Sequence, residues 1–372
     1  MTSERQTMML DFLRSAGWEQ ASLSPLPGDA STRRYVRAAQ NGRKAMVMDQ
    51  PQNAEAPQCP PGATPEQRVA LGYNATARLA GADCGRFVAA AEYLRSRGLS
   101  APVIYHADVD RGFVLLEDFG DDLYANVLGS GGDDEVSLYA PAVDAIAKLH
   151  TEAAPEVMHG TRQLHSYDEA ALLAETDLMV DWFMPLALGR IATEEERLEH
   201  RGLWQDAFRA ISRVDPVFVH RDYHAQNLFW LPDRQGEARV GMIDFQDAVA
   251  GTRSYDIISL LEDARRDVAP DLAETMVQRY LEQVRKSGSS LDEGTLRAEL
   301  AIMAAQRNTK IAGIFARLYS RDGKPRYLGY MPRVWRYLER DLEHPALAPL
   351  KAWYDRKIPV ETRTGFQVGE AA

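Results

Sequence analysis

The segment FVHRDYHAQNLFW, residues 218–230, constrains this chain more than any other. It places two histidines, an arginine, an aspartate and an asparagine between two apolar runs. The flanking VFV and LFW read as short buried strands. The polar residues therefore sit on a tight connection held rigid from both sides. A loop serving solubility alone needs no such flanks.

Within and after this loop three residues stand out by type and spacing. Asp222 lies in HRD, Asn227 follows five residues later, and Asp244 closes the apolar run VGMID. An aspartate leaving a strand and an asparagine nearby make a hard oxygen pair suited to Mg²⁺. A further carboxylate outside the metal shell can orient an attacking hydroxyl and accept its proton. Phosphoryl transfer needs those parts in that division of labour, because it is mostly positioning and charge neutralisation. HRDYHAQN matches the H-R-D-x-x-x-x-N signature of protein kinases in full, and DFQ at 244–246 matches D-F-G except in its glycine. The competing reading, in which His220 and Asp222 brace a turn and Asp244 caps a helix, needs no asparagine at this offset.

The rest of the chain supplies a setting. Its 372 residues suffice for two domains or one two-lobed unit. The net charge of −11 argues against wholesale nucleic-acid binding. Two cysteines, Cys59 and Cys84, make neither a disulfide framework nor a zinc site. No signal peptide and no run long enough for a membrane span is evident, so a cytoplasmic protein is expected, with no membrane partner. Oligomeric state is left open, a monomer being favoured. The first 120 residues read as a small sheet with one main helix over 83–97, the NG at 41–42 turning a hairpin. Residues 121–372 read as mostly helical, with helices over 133–152, 166–188, 194–212, 254–266, 270–287, 292–317 and 331–343. Ser166 and Glu169 look like a capping box. Only 217–243 interrupts the helices, with three short strands.

VHRDYHAQNL and GMIDFQDAVAGTRSYDII resemble the catalytic loop, metal aspartate and following helix of the aminoglycoside phosphotransferase group, within the protein-kinase-like superfamily. GDASTRRYVR, YDEAALLAETDLMVDWF and GIFARLYSRDGKPRYLGYMPR are similar to the bacterial anomeric kinases of N-acetylmuramate and N-acetylglucosamine. The resemblance spans nearly the whole chain. It implies an α+β, two-lobed protein-kinase-like fold, with an antiparallel N-lobe sheet and a larger helical C-lobe. It also implies an ATP- and Mg²⁺-dependent sugar 1-kinase serving peptidoglycan recycling. Asp222 would be the catalytic base, with Asn227 and Asp244 the metal ligands. An aminoglycoside or other small-alcohol phosphotransferase, and a non-catalytic nucleotide-binding protein, stand as alternatives.

The chain departs from the kinase pattern in one respect. Met48 stands where the strand lysine that holds phosphates is expected, and Phe87 roughly where its helix glutamate falls. Losing both is coherent, since a lone buried glutamate would cost several kcal/mol. Another cation must then meet the phosphates: Arg33 or Arg34, with Lys44 a weaker candidate outside the strand. Gly28, Ser31 and Thr32 of the preceding turn offer close backbone approach, hydroxyls and N–H groups to phosphate. Glu117 falls at the interlobe hinge, where backbone groups would read adenine. For the acceptor, the stretch 306–336 is basic in an otherwise acidic chain. Arg307 and Lys310, on one helix face, would suit a carboxylate. Glu175 and Trp182, seven apart, would share a helix face and meet the sugar, and Tyr223 and His224 in the loop would touch the acceptor.

Overall fold

The computed structural model describes residues 3–27, 33–51, 57–129, 135–211 and 215–364. Its contacts gather into two units. The first runs to Leu149 and adds Ala154–His165 and His220–Val249; the second holds His150–Ala153, Ser166–Val219 and the chain from Ala250. The sequence reading divides the chain after residue 120 and places the catalytic loop with the later helices. The contacts divide it otherwise, and backbone pairing gives the reason. The hairpin after the loop bridges to Ser100 through Gly241 and to Leu123 through Phe229. Strands concentrate in the first unit and helices in the second, the α+β arrangement.

In the first unit five antiparallel strands form one sheet: β1 (Ser22–Pro25), β2 (Arg34–Gln40), β3 (Arg43–Asp49), β4 (Ile104–Asp108) and β5 (Phe113–Leu116), in the order β1-β2-β3-β5-β4. Asn41 and Gly42 turn β2 into β3 with φ of 52° and 76°, the pair of positive values that a two-residue hairpin requires. Side chains alternate across the sheet. Val36, Ala38, Ala45, Val47, Phe113 and Leu115 pack with Met9, Phe12 and Leu13 of helix α1 (Ser3–Ser15) and with Trp18. The opposite face carries Tyr35 and Val114, which flank Met48 in register. Lys44 lies inside β3, not beyond it as the sequence reading has it, and is exposed.

Helix α2 (Cys84–Ser96) begins where the Asp83 carboxylate accepts from the Gly85 amide. Its Phe87 is buried and stacks on Phe245 at 4.8 Å between ring centroids. The HRDYHAQN loop leads into a hairpin of β6 (Leu228–Trp230) and β7 (Val240–Met242). Ile243 donates to the Asn227 carbonyl at 3.1 Å, which ties Asp244 to the loop.

In the second unit helix α3 (Glu169–Leu178) packs on helix α4 (Glu293–Ser320), and Met331–Asp341 packs there too. Gly313 permits the first contact, since a Cβ there would fall 2.5 Å from the Leu178 backbone. The capping box expected from Ser166 is not formed. Ser166 belongs to a short strand, and Asp168 caps α3 by accepting from Ala171 at 3.1 Å. Among the described residues no helix is long and apolar enough to cross a membrane.

Candidate active site

The loop expected from sequence is a rigid turn. His220 is fully buried, its ring edge-on to Tyr223 and Phe245. Arg221 adopts φ 74° and Asp244 φ 66°. Left-handed backbone at non-glycine residues is strained, and such strain gathers where function fixes a side chain's direction. Arg221 is held by the carbonyls of Ala77 at 2.8 Å and Asp247 at 3.4 Å. The loop then folds on itself, with the His224 amide donating to the Asp222 carbonyl and the Asn227 amide to the His224 carbonyl.

Asn227 sends its side-chain NH₂ to the Asp222 carbonyl at 3.0 Å. Its amide oxygen is the atom left to face a cation. Asp244 keeps 35% of its side chain exposed, and Arg33 pairs with it at 2.7 Å. These donors fit a small hard cation that takes most of its ligands from phosphate and water. Among the described residues no group of three or more histidine, cysteine or acidic side chains would hold a metal unaided. Asp222 is half-buried beside them and is not required for that pair.

Arg33 lies against Asp244 and Tyr35, and Tyr35 is the register partner of Met48. Arg33 is 8% exposed and donates to the side-chain amide oxygen of Gln246 at 2.5 Å. Tyr35, opposite Met48 in register, feels both Arg33 and Asp244; burial pushes its phenol above the ordinary range, and the Arg33 charge opposes that. Gln246 stands where the D-F-G glycine would be. Its NH₂ reaches Asp244 at 3.1 Å and Asp247 at 3.4 Å. Sequence noticed this glutamine only as a departure from the pattern. Arg34 is exposed at the start of β2. Gly28, Ser31 and Thr32 lie outside the described residues.

Glu117 is bound within the protein: Arg234 donates to one oxygen at 2.5 Å and the Val103 amide to the other at 3.2 Å. Its own backbone N–H donates to the Val103 carbonyl. Tyr223 is 1% exposed and gives its hydroxyl to the Ala142 carbonyl at 2.9 Å, so it braces the loop. His224 is buried and sits 3.4 Å from the Asn227 side chain.

In the second unit the expected acceptor residues meet one another. Lys310 pairs with Glu175 at 2.8 Å, and Glu175, 1% exposed, also accepts from Gln306 at 2.9 Å and from the Tyr167 hydroxyl. Lys310 reaches the Tyr255 hydroxyl at 3.1 Å. Arg307 is buried and donates to the Glu262 carbonyl at 3.0 Å. Trp182 lies beyond a change of winding that the seven-residue spacing from Glu175 did not anticipate. Met179–Phe183 is a π-helical turn, whose wider winding shifts the phase after Glu175. A cavity of about 480 Å³ in this unit is lined by Tyr167, Asp168, Thr252, Arg253 and Glu299 among others, none of them an acceptor residue expected from sequence.

Residues 22–291 match the phosphotransferase enzyme family. The chain is 43% identical over 370 residues to an N-acetylmuramate/N-acetylglucosamine kinase of Caulobacter vibrioides, covering 98% of this chain and 99% of that protein. Its fold is similar to that of the choline kinase LicA from Streptococcus pneumoniae, with a TM-score of 0.56 at 14% identity over 93% of this chain and 99% of the other. An ADP-bound aminoglycoside phosphotransferase has a TM-score of 0.52 at 14% identity over 91% and 97%. The chain belongs to the phosphotransferase enzyme family, with a protein-kinase-like fold. It is a phosphotransferase that uses an alcohol acceptor.

Proposed function

We propose that the protein transfers the γ-phosphoryl group of ATP to the anomeric hydroxyl of N-acetylmuramate or N-acetylglucosamine. The products are ADP and the sugar 1-phosphate. The observation that carries the chemistry is the cluster of Asp222, Asn227 and Asp244 on one braced loop and hairpin; the likeness to the Caulobacter vibrioides kinase carries the acceptor. Asp222 orients the sugar hydroxyl and takes its proton as the oxygen attacks phosphorus. An anomeric hydroxyl is more acidic than an ordinary alcohol, which lightens the demand on that base. Asn227 and Asp244 would hold Mg²⁺, which would supply neutralisation of phosphate charge.

Arg33 supplies the second positive charge. Met48 is buried in β3 and Arg33 pairs with Asp244, which supports a role for this guanidinium in meeting phosphate oxygens. A cytoplasmic setting, where ATP is made, and a place in reusing cell-wall sugars accord with this reading.

The test is ADP release with ATP and Mg²⁺ against N-acetylmuramate, N-acetylglucosamine, glucose, an aminoglycoside and choline. The expected result is turnover confined to the amino sugars, with phosphate on the anomeric carbon by NMR. Turnover with only the aminoglycoside or choline would discard the acceptor. Bound ATP without turnover on any of them would discard catalysis.

A further inference from the structure

Two buried charges beside the catalytic machinery are only partly satisfied, and they are opposite in sign. Arg86, on α2, is 5% exposed. One terminal nitrogen donates to the Gln163 carbonyl at 2.8 Å, while its Nε and its other terminal nitrogen have no hydrogen-bond partner. Asp247 is 8% exposed. Its Oδ2 receives long contacts of 3.4 Å from Arg78 and from Gln246, and its Oδ1 receives none.

The two groups lie either side of one ring stack, since Phe87, next to Arg86, stacks at 4.8 Å on Phe245, two residues before Asp247. Burial lowers the Arg86 pKa, and Asp247 is the strongest charge opposing that, followed by Asp83. Asp83 is itself engaged by Arg162 at 2.9 Å and by the Gly85 amide. His165 is pushed down to about 4, by burial first and then by Arg86 and Arg68, so it stays neutral at neutral pH. Arg78 and Arg86 thus both face the incompletely paired Asp247 carboxylate, and Arg221 donates to the Asp247 backbone carbonyl. Leaving buried charged groups short of hydrogen bonds is costly. The combination matches a ligand that brings an anionic group and a hydroxyl together.

The cluster also touches the reacting centre. The Gln246 NH₂ lies within 3.1 Å of Asp244 and 3.4 Å of Asp247, so the two carboxylates share one amide. The residues expected from sequence to read a carboxylate, Arg307 and Lys310, already have protein partners. Arg86 has two nitrogens left over, Nε and one terminal nitrogen, and a planar guanidinium edge binds a carboxylate in paired fashion.

We propose that Arg86 and Asp247 form the acceptor subsite that distinguishes an acidic sugar from a neutral one. Arg86 donates to the acceptor's carboxylate, and Asp247 accepts from one of its hydroxyls. This rests on the amino-sugar kinase reading, in which N-acetylmuramate carries a lactyl carboxylate that N-acetylglucosamine lacks.

The experiment measures kcat/KM for both sugars, and for the methyl ester of N-acetylmuramate, on the unmodified protein and on Arg86→Gln and Arg86→Lys. Thermal melting confirms that each variant folds. In Arg86→Gln the preference for N-acetylmuramate over N-acetylglucosamine falls about tenfold, which equals ~1.4 kcal/mol. Arg86→Lys keeps part of it. On the unmodified protein the ester is a poorer substrate than the acid by a similar factor, an outcome independent of any variant's folding. An equal loss on both sugars in Arg86→Gln, or an ester used as well as the acid, overturns the proposal. So does inorganic phosphate that raises the melting temperature of the unmodified protein but not of Arg86→Gln while sugar preference is unchanged, for Arg86 then holds a free anion. If the unmodified protein turns over neither amino sugar, the underlying reading fails, and that is seen before any variant is made.

Discussion

The catalytic loop of the first unit and the basic helix α4 of the second both invite a functional reading from sequence, and their side chains meet opposite fates. In the loop, Asp244 remains 35% exposed with one arginine beside it, and Asn227 turns its NH₂ inward. On α4, Lys310 is 14% exposed and closed against Glu175, and Arg307 is 5% exposed and closed against a carbonyl. The difference lies in what the two signals encode. HRDxxxxN fixes residue types at spacings that a single turn must honour, so the chemistry and the local geometry arrive together. A run of arginines and lysines fixes only charge. Where each charge goes depends on acids far away in the chain, here Glu175 and the backbone of Glu262.

The largest expected effect tests the loop. Asp222→Asn should lower kcat by on the order of 10² or more while leaving nucleotide affinity nearly intact. Turnover close to that of the unmodified protein would remove Asp222 from its role and with it the contrast between the two regions.

Next comes the pair on α4. Lys310→Met leaves the buried Glu175 charge uncompensated and should destabilise the protein by about 3 kcal/mol in urea unfolding. Unchanged stability with a raised acceptor KM would show Lys310 facing the sugar after all, and the two regions would then be alike.

A pH test addresses the second unit's core. His200 is fully buried, receives the Trp204 indole N–H at 3.0 Å, and burial pushes its pKa down to about 3. Between that value and the unfolded value near 6.5, the unfolded chain binds one more proton than the folded one. Its contribution is therefore complete above pH ~6.5 and is lost as pH falls through this window, at ~1.4 kcal/mol per pH unit. His200→Phe should flatten that slope in urea unfolding series. An unchanged slope would assign acid sensitivity elsewhere.

The smallest effect belongs to Arg307. Because it serves the Glu262 carbonyl, Arg307→Ala should reduce kcat/KM for both amino sugars by the same factor, about twofold. The sequence-based expectation was a selective loss on N-acetylmuramate, and observing that would return the carboxylate to α4.

Much of the fold was legible in the amino-acid order. The hairpin at Asn41–Gly42, the helix from Cys84 ending before Gly98, and the three strands around the loop follow from local patterning. The start of α3 was misread because Ser166 and Asp168 are both plausible caps, and strand pairing decided between them. The π-turn between Glu175 and Trp182 was not foreseen, because such a turn leaves no mark in apolar periodicity.

By itself the sequence singled out Asp222, Asn227 and Asp244, to which we assign the chemistry, by type and short spacing. It also showed that the strand lysine is missing. Only the tertiary structure decided that Arg33 meets Asp244, far away in the chain, that Gln246 joins two carboxylates, and that Arg86 and Asp247 are left partly unpaired. The reason is physical. A spacing within one turn is enforced by covalent geometry, whereas the partner of a buried charge is chosen by long-range packing, which brings together groups that no local pattern relates.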